Sequence, residues 1–205
     1  MTEVMGGDGA ILAVEWERAE EAGRNGTGVI LVEGVSDQRA IETLAPRVGR
    51  DLADEDVAVI PAAGATNFWR FLELLGPNGY DVSLVGMCDQ GEEAELARAL
   101  TRAGLGEVDS REDLEDLGFY VCTADLEDEM IRALGHEVML SLIESQGHTR
   151  RLRSFQNQVH HRDQPLETQI WQWLGNHKIR YAPLLAGALP LDAIPRPLLG
   201  VLGRV

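Results

Sequence analysis

Four short runs of apolar residues stand out along the chain, at positions 28–33, 57–60, 82–88 and 119–123. None of them alternates with polar residues, and such continuous runs are typical of strands buried on both faces of a parallel sheet. We therefore predict four strands in one sheet.

Segments with helical periodicity lie before, between and after these runs. We predict helices over 11–22, 36–48, 68–75, 92–103 and 126–145. Ser36 and Asn67 are expected to act as N-caps of the second and third helices. Strands that alternate with helices through short connections indicate βαβ units with right-handed crossovers. The fold class predicted is therefore α/β and Rossmann-like, with a mostly parallel four-stranded sheet flanked by helices.

The last quarter of the chain has a different pattern. Helical pieces are expected near 150–158, 166–174 and 181–188, followed by a proline-rich tail over 190–197. We expect a helical C-terminal extension packed on the α/β domain. The three predicted parts are an N-terminal helix (1–26), the α/β domain (27–146) and the extension (147–205).

Acidic residues end or follow three of the four predicted strands. They are Glu33 and Asp37 after the first strand, Asp89, Glu92 and Glu93 after the third, and Asp125, Glu127, Asp128 and Glu129 after the fourth. Because ligands of open α/β sheets bind beyond the carboxyl ends of the strands, these carboxylates are expected to converge.

Converging carboxylates repel one another, and a divalent cation relieves that repulsion. Oxygen ligands favour hard ions such as Mg²⁺, Mn²⁺ or Ca²⁺, which commonly act on phosphates. We expect one or two bound ions, Mg²⁺ or Mn²⁺. A purely structural interpretation stays open for each group alone, since Asp and Glu also favour helix N-termini.

The charge is unevenly distributed. The net charge of −16 combines −21 over residues 1–144 with +5 over 145–205. The segment 148–162 contains arginines and histidines but no acidic residue, so it is either a phosphate-contacting arm or a solvated basic helix. The candidate nucleic-acid-binding residues are Arg150, Arg151, Arg153, Arg162 and Arg180. The single lysine of the chain is Lys178.

Several short motifs resemble the TOPRIM domain of OLD-family nucleases. Leu31-Val-Glu33-Gly34-Val-Ser-Asp37 is similar to the family's opening signature, and the loop after the second predicted strand, 63–67, is similar to its glycine-rich segment. Val85-Gly-Met-Cys-Asp89 resembles the strand that leads into an Asp-x-Asp motif. The resemblance extends over about 28–186 and implies a TOPRIM fold.

The resemblance also implies roles for individual residues. Glu33 would be a metal ligand and a proton acceptor, and Asp37 and Asp89 would complete its site. Asp125 and Glu127, in a segment similar to the family's later Asp-Leu-Glu motif, would bind a second ion, with Glu129 as a further ligand. Lys178 would stabilise charge on the reacting phosphate.

Two departures from the family pattern matter. Gly91 stands where the second aspartate of Asp-x-Asp is expected, so Glu92 or Glu93 would have to compensate. The sequence also has no GxxxxGK[ST] motif, which makes an ATP-binding P-loop impossible here. We therefore expect a standalone TOPRIM unit, for which a separate ATPase partner is a hypothesis.

The remaining features are compatible with a cytoplasmic protein. Cys88 and Cys122 lie in apolar runs and are expected to be buried and reduced. No segment resembles a signal peptide or a membrane span. Trp171 and Trp173 are predicted to pack in the core or in an interface rather than to stack on bases. A homodimer stays open.

The function predicted is a metal-dependent nuclease that hydrolyses phosphodiesters in DNA, or alternatively in RNA. Two other hypotheses remain: a TOPRIM-type binding or regulatory module with weakened catalysis, and an enzyme for nucleotidyl transfer or small phosphoesters.

Overall fold

Four parallel strands form the centre of the molecule. The computed structural model describes residues 7–205, with side chains from residue 10 onwards. The strands are β1 (Gly28–Val32), β2 (Val57–Pro61), β3 (Leu84–Asp89) and β4 (Phe119–Cys122). They lie in the order β2-β1-β3-β4, and each neighbouring pair is parallel. The predicted α/β class and the four-stranded parallel sheet are confirmed.

Helices surround the sheet and form the C-terminal part of the described chain. They are α1 (Gly7–Asn25), α2 (Val35–Leu44), α3 (Phe68–Leu75), α4 (Glu93–Arg102), α5 (Arg111–Asp116), α6 (Leu126–Ser145), α7 (Thr149–Gln156), α8 (Leu166–Leu174), α9 (Lys178–Ala188) and α10 (Arg196–Arg204). Short 3₁₀ turns occupy Ala45–Val48, Ala65–Asn67 and Gln90–Glu92.

The strand order places the carboxyl ends of β1 and β3 side by side. From β1 the chain passes outward to β2, then returns to the other side of β1 for β3 and continues to β4. The direction of winding thus reverses between β1 and β3. Such a reversal opens a crevice at the carboxyl edge, where ligands of doubly wound sheets bind.

The two faces of the sheet bury separate apolar clusters. Successive side chains of a strand point to opposite faces. Val29 and Leu31 pack with α1, α3, α4 and α5, whereas Ile30 and Val32 pack with α2, α6 and the C-terminal helices. The helices after residue 146 therefore share a core with the sheet.

Both cysteines are buried as free thiols, as predicted. Cys88 belongs to the cluster with α3 and α4, and Cys122 belongs to the opposite one. None of the helices within residues 7–205 is long and apolar enough to cross a membrane.

The docking of α9 on α2 is fixed by two arginines. Pro183 lies inside α9 and has no N–H, so it cannot donate to the carbonyl oxygen of Ile179 one turn earlier. Arg39 of α2 donates to that carbonyl instead, at 3.3 Å. Arg47 donates to the carbonyls of Ala186 and Leu189 at the other end of α9, each at 2.7 Å. These bonds hold the start of α9 beside the carboxyl edge of the sheet.

Several local predictions were wrong. The N-cap of α2 is Gly34 rather than Ser36, because the Asp37 carboxylate, three residues on, accepts the Gly34 N–H. The predicted helix over 36–48 ends at Leu44 and tightens into a 3₁₀ turn that contains Pro46. Asn67 is the N-cap residue of α3, as predicted, but its side-chain amide donates to the Ala63 carbonyl and makes no capping hydrogen bond.

Two helices were not predicted. The six-residue α5 is too short for a periodic signal, although Ser110 caps it by accepting the Asp113 N–H. The last helix, α10, begins within the expected proline-rich tail. Pro197 lies in its first turn, where a missing N–H costs nothing.

Gly86 of β3 provides a test of the sheet packing. A Cβ atom at this position would lie 2.6 Å from the Leu31 carbonyl oxygen and 2.9 Å from the Phe119 ring. We expect Gly86→Ala to lower the free energy of unfolding by about 1–3 kcal/mol, as overpacked cores do. Gly91→Ala is the control, because nothing lies within 4 Å of its added Cβ. Urea unfolding measures both, and equal stability of the two variants would contradict the packing described.

Candidate metal centre

Glu33 and Asp89 meet where β1 and β3 end. Glu33 directly follows β1, and its Oε1 accepts the backbone N–H of Asp89 at 2.7 Å. Both side chains are half-buried. The hydrogen bond ties the two strand ends together and leaves Oε2 of Glu33 for another partner.

Asp37 lies in the first turn of α2 and belongs to the same edge. Its Oδ2 accepts the Gly34 N–H at 2.9 Å, which folds the first turn of the helix back onto the end of β1. The structure therefore places Glu33, Asp37 and Asp89 at the same edge of the sheet, as the sequence predicts, close enough for Glu33 and Asp89 to raise the pKa of Asp37.

Lys178 lies between two carboxylates of the β4–α6 connection. Its Nζ is 3.0 Å from Oδ2 of Asp125 and 2.8 Å from Oε2 of Glu127. Glu127 is almost fully buried, with 1% of its surface exposed. Asp125 is also the N-cap of α6, since its Oδ1 accepts the Asp128 N–H at 2.8 Å. Asp125 thus has the capping role of the structural interpretation, and its role as a metal ligand stays a prediction.

Trp171 of α8 completes the contacts of Asp125. Its indole N–H donates to both carboxylate oxygens, at 3.0 Å to Oδ1 and 3.1 Å to Oδ2. Trp173 is buried, as predicted for core packing, but Trp171 is 36% exposed. Trp171 is therefore not a core residue, and its contact with Asp125 spans 46 residues and leaves no local signal in the sequence.

The five carboxylates influence one another. Burial and the charge of Glu33 raise the pKa of Asp89 to about 7. Burial raises the pKa of Glu33, Asp37 and Glu127 as well, and neighbouring carboxylates add to each shift. Asp125 is among the groups that raise the pKa of Glu33 and of Asp89. The site thus behaves electrostatically as one cluster that resists full ionisation.

Lys178 is the cation that offsets part of this repulsion. Its positive charge lowers the pKa of Glu33, Asp89 and Glu127. Burial in turn lowers the pKa of Lys178, but Glu127 and Asp125 outweigh it, and the net pKa lies above the usual range. Lys178 therefore stays charged beside the cluster.

The donors fit a hard divalent cation, although they are not arranged around one. Among the side chains of residues 10–205, no three carboxylate, imidazole or thiol groups converge closely enough to hold an ion as they stand. Yet Oε1 of Glu127 is buried without a hydrogen-bond partner. A buried, unpaired carboxylate oxygen is costly unless something positive binds it. All the candidate ligands are oxygens, which suits Mg²⁺ or Mn²⁺.

Two of the predicted ligands have other partners. The Oε1 atom of Glu129 accepts the Thr123 N–H at 2.8 Å, and its Oε2 pairs with Arg132 at 3.2 Å. Glu93 forms a two-pronged pair with Arg111, at 2.9 and 2.7 Å. These contacts hold both side chains elsewhere. Glu92 is half-buried, and its charge raises the pKa of Glu33; a compensating role for it stays a prediction.

A cleft of about 830 Å³ opens beside Glu33 and Lys178. Arg39 and Arg180 also line it, together with the loop around Gly64. Arg180 is exposed and donates to Oε1 of Gln146 at 3.0 Å. Arg39 was not among the predicted site residues. Its position two residues after Asp37, on the first turns of the same helix, is the signal that could have identified it.

The other predicted basic residues are placed differently. Arg150, Arg151 and Arg153 are exposed on α7, and Arg162 is exposed in the following loop, 3.3 Å from Asp163. They do not line the cleft, so a nucleic-acid role for them would require a ligand that extends beyond it.

Comparison with known families agrees with this geometry. Residues 26–90 match the family described as overcoming lysogenization defect protein-like, TOPRIM domain. The chain contains an OLD-like TOPRIM domain. The matched segment includes Glu33, Asp37 and Asp89, whereas Asp125, Glu127 and Lys178 lie outside it. No curated protein matches the chain.

Solved structures extend the TOPRIM likeness to most of the chain. The C-terminal region of the OLD protein of Xanthomonas campestris pv. campestris is 25% identical, with a TM-score of 0.70, over 87% of this chain and 91% of that one. The C-terminal region of the Burkholderia pseudomallei OLD protein is 23% identical, with a TM-score of 0.66, over 86% and 95%. The helices that carry Trp171 and Lys178 therefore fall within a chain that resembles these regions nearly throughout.

The repulsion predicts how stability depends on pH in the absence of metal. The pKa of Asp89 is about 7 in the folded protein and about 3.9 when unfolded. The unfolded state therefore loses its proton first, and the folded state is destabilised as the pH rises from about 4 to 7. We expect Asp89→Asn, measured in a chelator at pH 8, to raise the free energy of unfolding by about 1–3 kcal/mol.

At pH 4 that gain should largely disappear. The exposed Asp192, changed to Asn, is the matched control and should change stability little at either pH. A gain for Asp89→Asn that is the same at both pH values would show that charge repulsion is not its cause. Urea unfolding at the two pH values makes the measurement.

Proposed function

We propose that this chain is a divalent-metal-dependent nuclease that hydrolyses phosphodiester bonds of DNA or RNA. The main support for the proposal is that Glu33, Asp37 and Asp89 share the carboxyl edge with the Glu127–Lys178 pair, near enough to shift one another's pKa, beside an open cleft. The OLD-like TOPRIM domain supports a nuclease-type reaction at that edge.

The residues of this edge would have different roles in phosphodiester hydrolysis. Glu33 and Asp89 would hold one cation, and Glu127, with Asp125, a second. Such ions supply Lewis-acid stabilisation of the phosphate and lower the pKa of water. Because burial raises the pKa of Glu33, its carboxylate is a better proton acceptor than an exposed glutamate. Lys178 would donate from Nζ to a non-bridging phosphate oxygen.

A polynucleotide fits the distribution of basic side chains better than a small phosphoester does. Arg39 and Arg180 line the cleft, and the arginines of α7 lie exposed beyond it. Phosphate contacts of this kind position a strand without reading its sequence. The chain as a whole is acidic, so binding would depend on this local surface rather than on net charge. An ATPase partner and a homodimer remain predictions.

Glu33→Gln tests the enzymatic proposal. The amide oxygen of Gln can still accept the Asp89 N–H, so the fold is preserved while one anionic ligand is lost. We expect cleavage of plasmid and single-stranded DNA and of RNA, with Mn²⁺ or Mg²⁺, to fall at least about 100-fold. Glu137→Gln, an exposed position on α6, is the control and should keep full activity.

Wild-type protein that cleaves none of these substrates with either metal would contradict the nuclease proposal. Cleavage of nucleotides or small phosphoesters alone would assign the same chemistry to another substrate class.

A binding or regulatory module with weakened catalysis is the second candidate. Gly91 replaces the aspartate expected two residues after Asp89, and Lys178 already occupies oxygens of both Asp125 and Glu127. Both features lower the number of anionic oxygens available for cations. Binding of nucleic acid without cleavage would favour this candidate.

Gly91→Asp separates the two candidates. Nothing lies within 4 Å of a Cβ at this exposed position, so the new side chain fits. If the missing carboxylate limits catalysis, the variant should bind Mn²⁺ about tenfold more tightly or better and cleave faster, since each added ligand charge strengthens a hard-ion site. Calorimetry and a cleavage assay measure this, with Gly91→Ala as the uncharged control. Unchanged affinity would show that residue 91 does not reach the ion.

A further inference from the structure

Trp171 makes a contact that packing alone does not explain. Its indole N–H is nearly equidistant from the two oxygens of Asp125, at 3.0 and 3.1 Å, and so lies across the gap between them. Trp171 lies on α8 at the protein surface, so part of its apolar ring is exposed to solvent. Burial of the ring alone therefore does not account for its position. A hydrogen bond to a negatively charged carboxylate is one of the stronger kinds, which accounts for this placement.

We propose that Trp171 is a positioning residue that makes Asp125 a one-oxygen ligand, and that it thereby selects Mg²⁺ or Mn²⁺ against Ca²⁺. This inference rests on the proposed metal site. It concerns how Asp125 presents its oxygens rather than whether the site catalyses hydrolysis.

Both carboxylate oxygens of Asp125 are already hydrogen-bonded. Each carboxylate oxygen accepts two donors: Oδ1 from the Asp128 N–H and Trp171, and Oδ2 from Lys178 and Trp171. Lys178 is the donor with the longest flexible side chain, and it also contacts Glu127. When Lys178 moves to a phosphate, only one lone pair, on Oδ2, becomes free.

The position of the indole restricts how Asp125 can bind an ion. A cation bound by both oxygens of a carboxylate sits between them, and that is where the Trp171 N–H lies. Asp125 can therefore bind an ion through one oxygen only. Glu127 also has one oxygen to offer an ion, because Oε2 is paired with Lys178 and only Oε1 has no partner.

Selectivity follows from what the two kinds of ion require. Ca²⁺ takes six to eight oxygens and commonly uses both oxygens of a carboxylate, whereas Mg²⁺ prefers octahedral geometry with single-oxygen carboxylates and retained waters. A carboxylate held to one oxygen thus penalises Ca²⁺ more. Groups that orient a ligand in this way typically change metal affinity 10- to 100-fold when they are removed.

Trp171→Phe is the test, because phenylalanine keeps an aromatic ring and removes the N–H donor. Titration calorimetry of wild type and variant with Mn²⁺ and with Ca²⁺ gives the ratio of the two affinities. We expect the preference for Mn²⁺ over Ca²⁺ to fall about tenfold or more, with the thermal midpoint little changed. Trp69→Phe, a half-buried indole in the separate groove between α1 and α3, is the matched control and should keep the wild-type ratio.

Tryptophan emission provides an independent measurement. Binding of Ca²⁺, which is not a paramagnetic quencher, should change the emission of wild type and of Trp69→Phe but not that of Trp171→Phe. If Trp171→Phe unfolds, benzothienylalanine at position 171 replaces the N–H by sulfur in a ring of the same shape and should give the same loss of preference.

The outcomes separate the inference from the proposed function. Wild-type protein that binds neither ion would contradict the metal site itself. Wild-type protein that binds Mn²⁺, together with a variant that has the wild-type ratio, would overturn the role of Trp171 alone. Equal weakening of Mn²⁺ and Ca²⁺ would also overturn it, because a general loosening of the site does not discriminate between ions.

Discussion

The mutual repulsion of carboxylates at the carboxyl edge of the sheet is the constraint on which the rest of the structure depends. The reversal of winding between β1 and β3 forces Glu33 and Asp89 together, and the connection after β4 adds Asp125 and Glu127. Without a compensating charge the edge would ionise only at the cost of stability. Lys178 supplies one positive charge, and its pairs with Asp125 and Glu127 are the closest ionic contacts of the site.

The C-terminal helices matter because they deliver that charge. The first residue of α9 is Lys178. Arg39 of α2 and Arg47 of the following 3₁₀ turn donate hydrogen bonds to backbone carbonyls of α9 and of Leu189 just after it, and so help to hold this helix in place. Trp171 reaches the same carboxylate from α8. The extension is therefore part of the site as well as part of the core, and the resemblance of nearly the whole chain to solved OLD C-terminal regions fits this arrangement.

Much of the fold could be predicted because local signals and tertiary structure agree. The apolar runs marked all four strands, and the acidic residues at their ends indicated where Glu33, Asp37 and Asp89 would meet. Failures arose where a distant partner decides the outcome. Glu93 and Glu129 looked equivalent to the other acidic residues, but Arg111 and Arg132 hold them. Trp171 looked like a packing residue because its carboxylate partner is far away in sequence.

The most direct test of the account is the anomalous density of a crystal soaked in millimolar Mn²⁺. We expect at least one manganese peak within coordinating distance of Glu33 and Asp89. Where a second ion binds at Asp125 and Glu127, the Lys178 ammonium should have moved away from Oδ2 of Asp125, because the other hydrogen-bonding positions of that carboxylate are taken by the Asp128 N–H and Trp171. A crystal of wild-type protein without any manganese near these carboxylates, and with Lys178 still paired to Asp125 and Glu127, would contradict the central claim that this acidic edge is a metal centre.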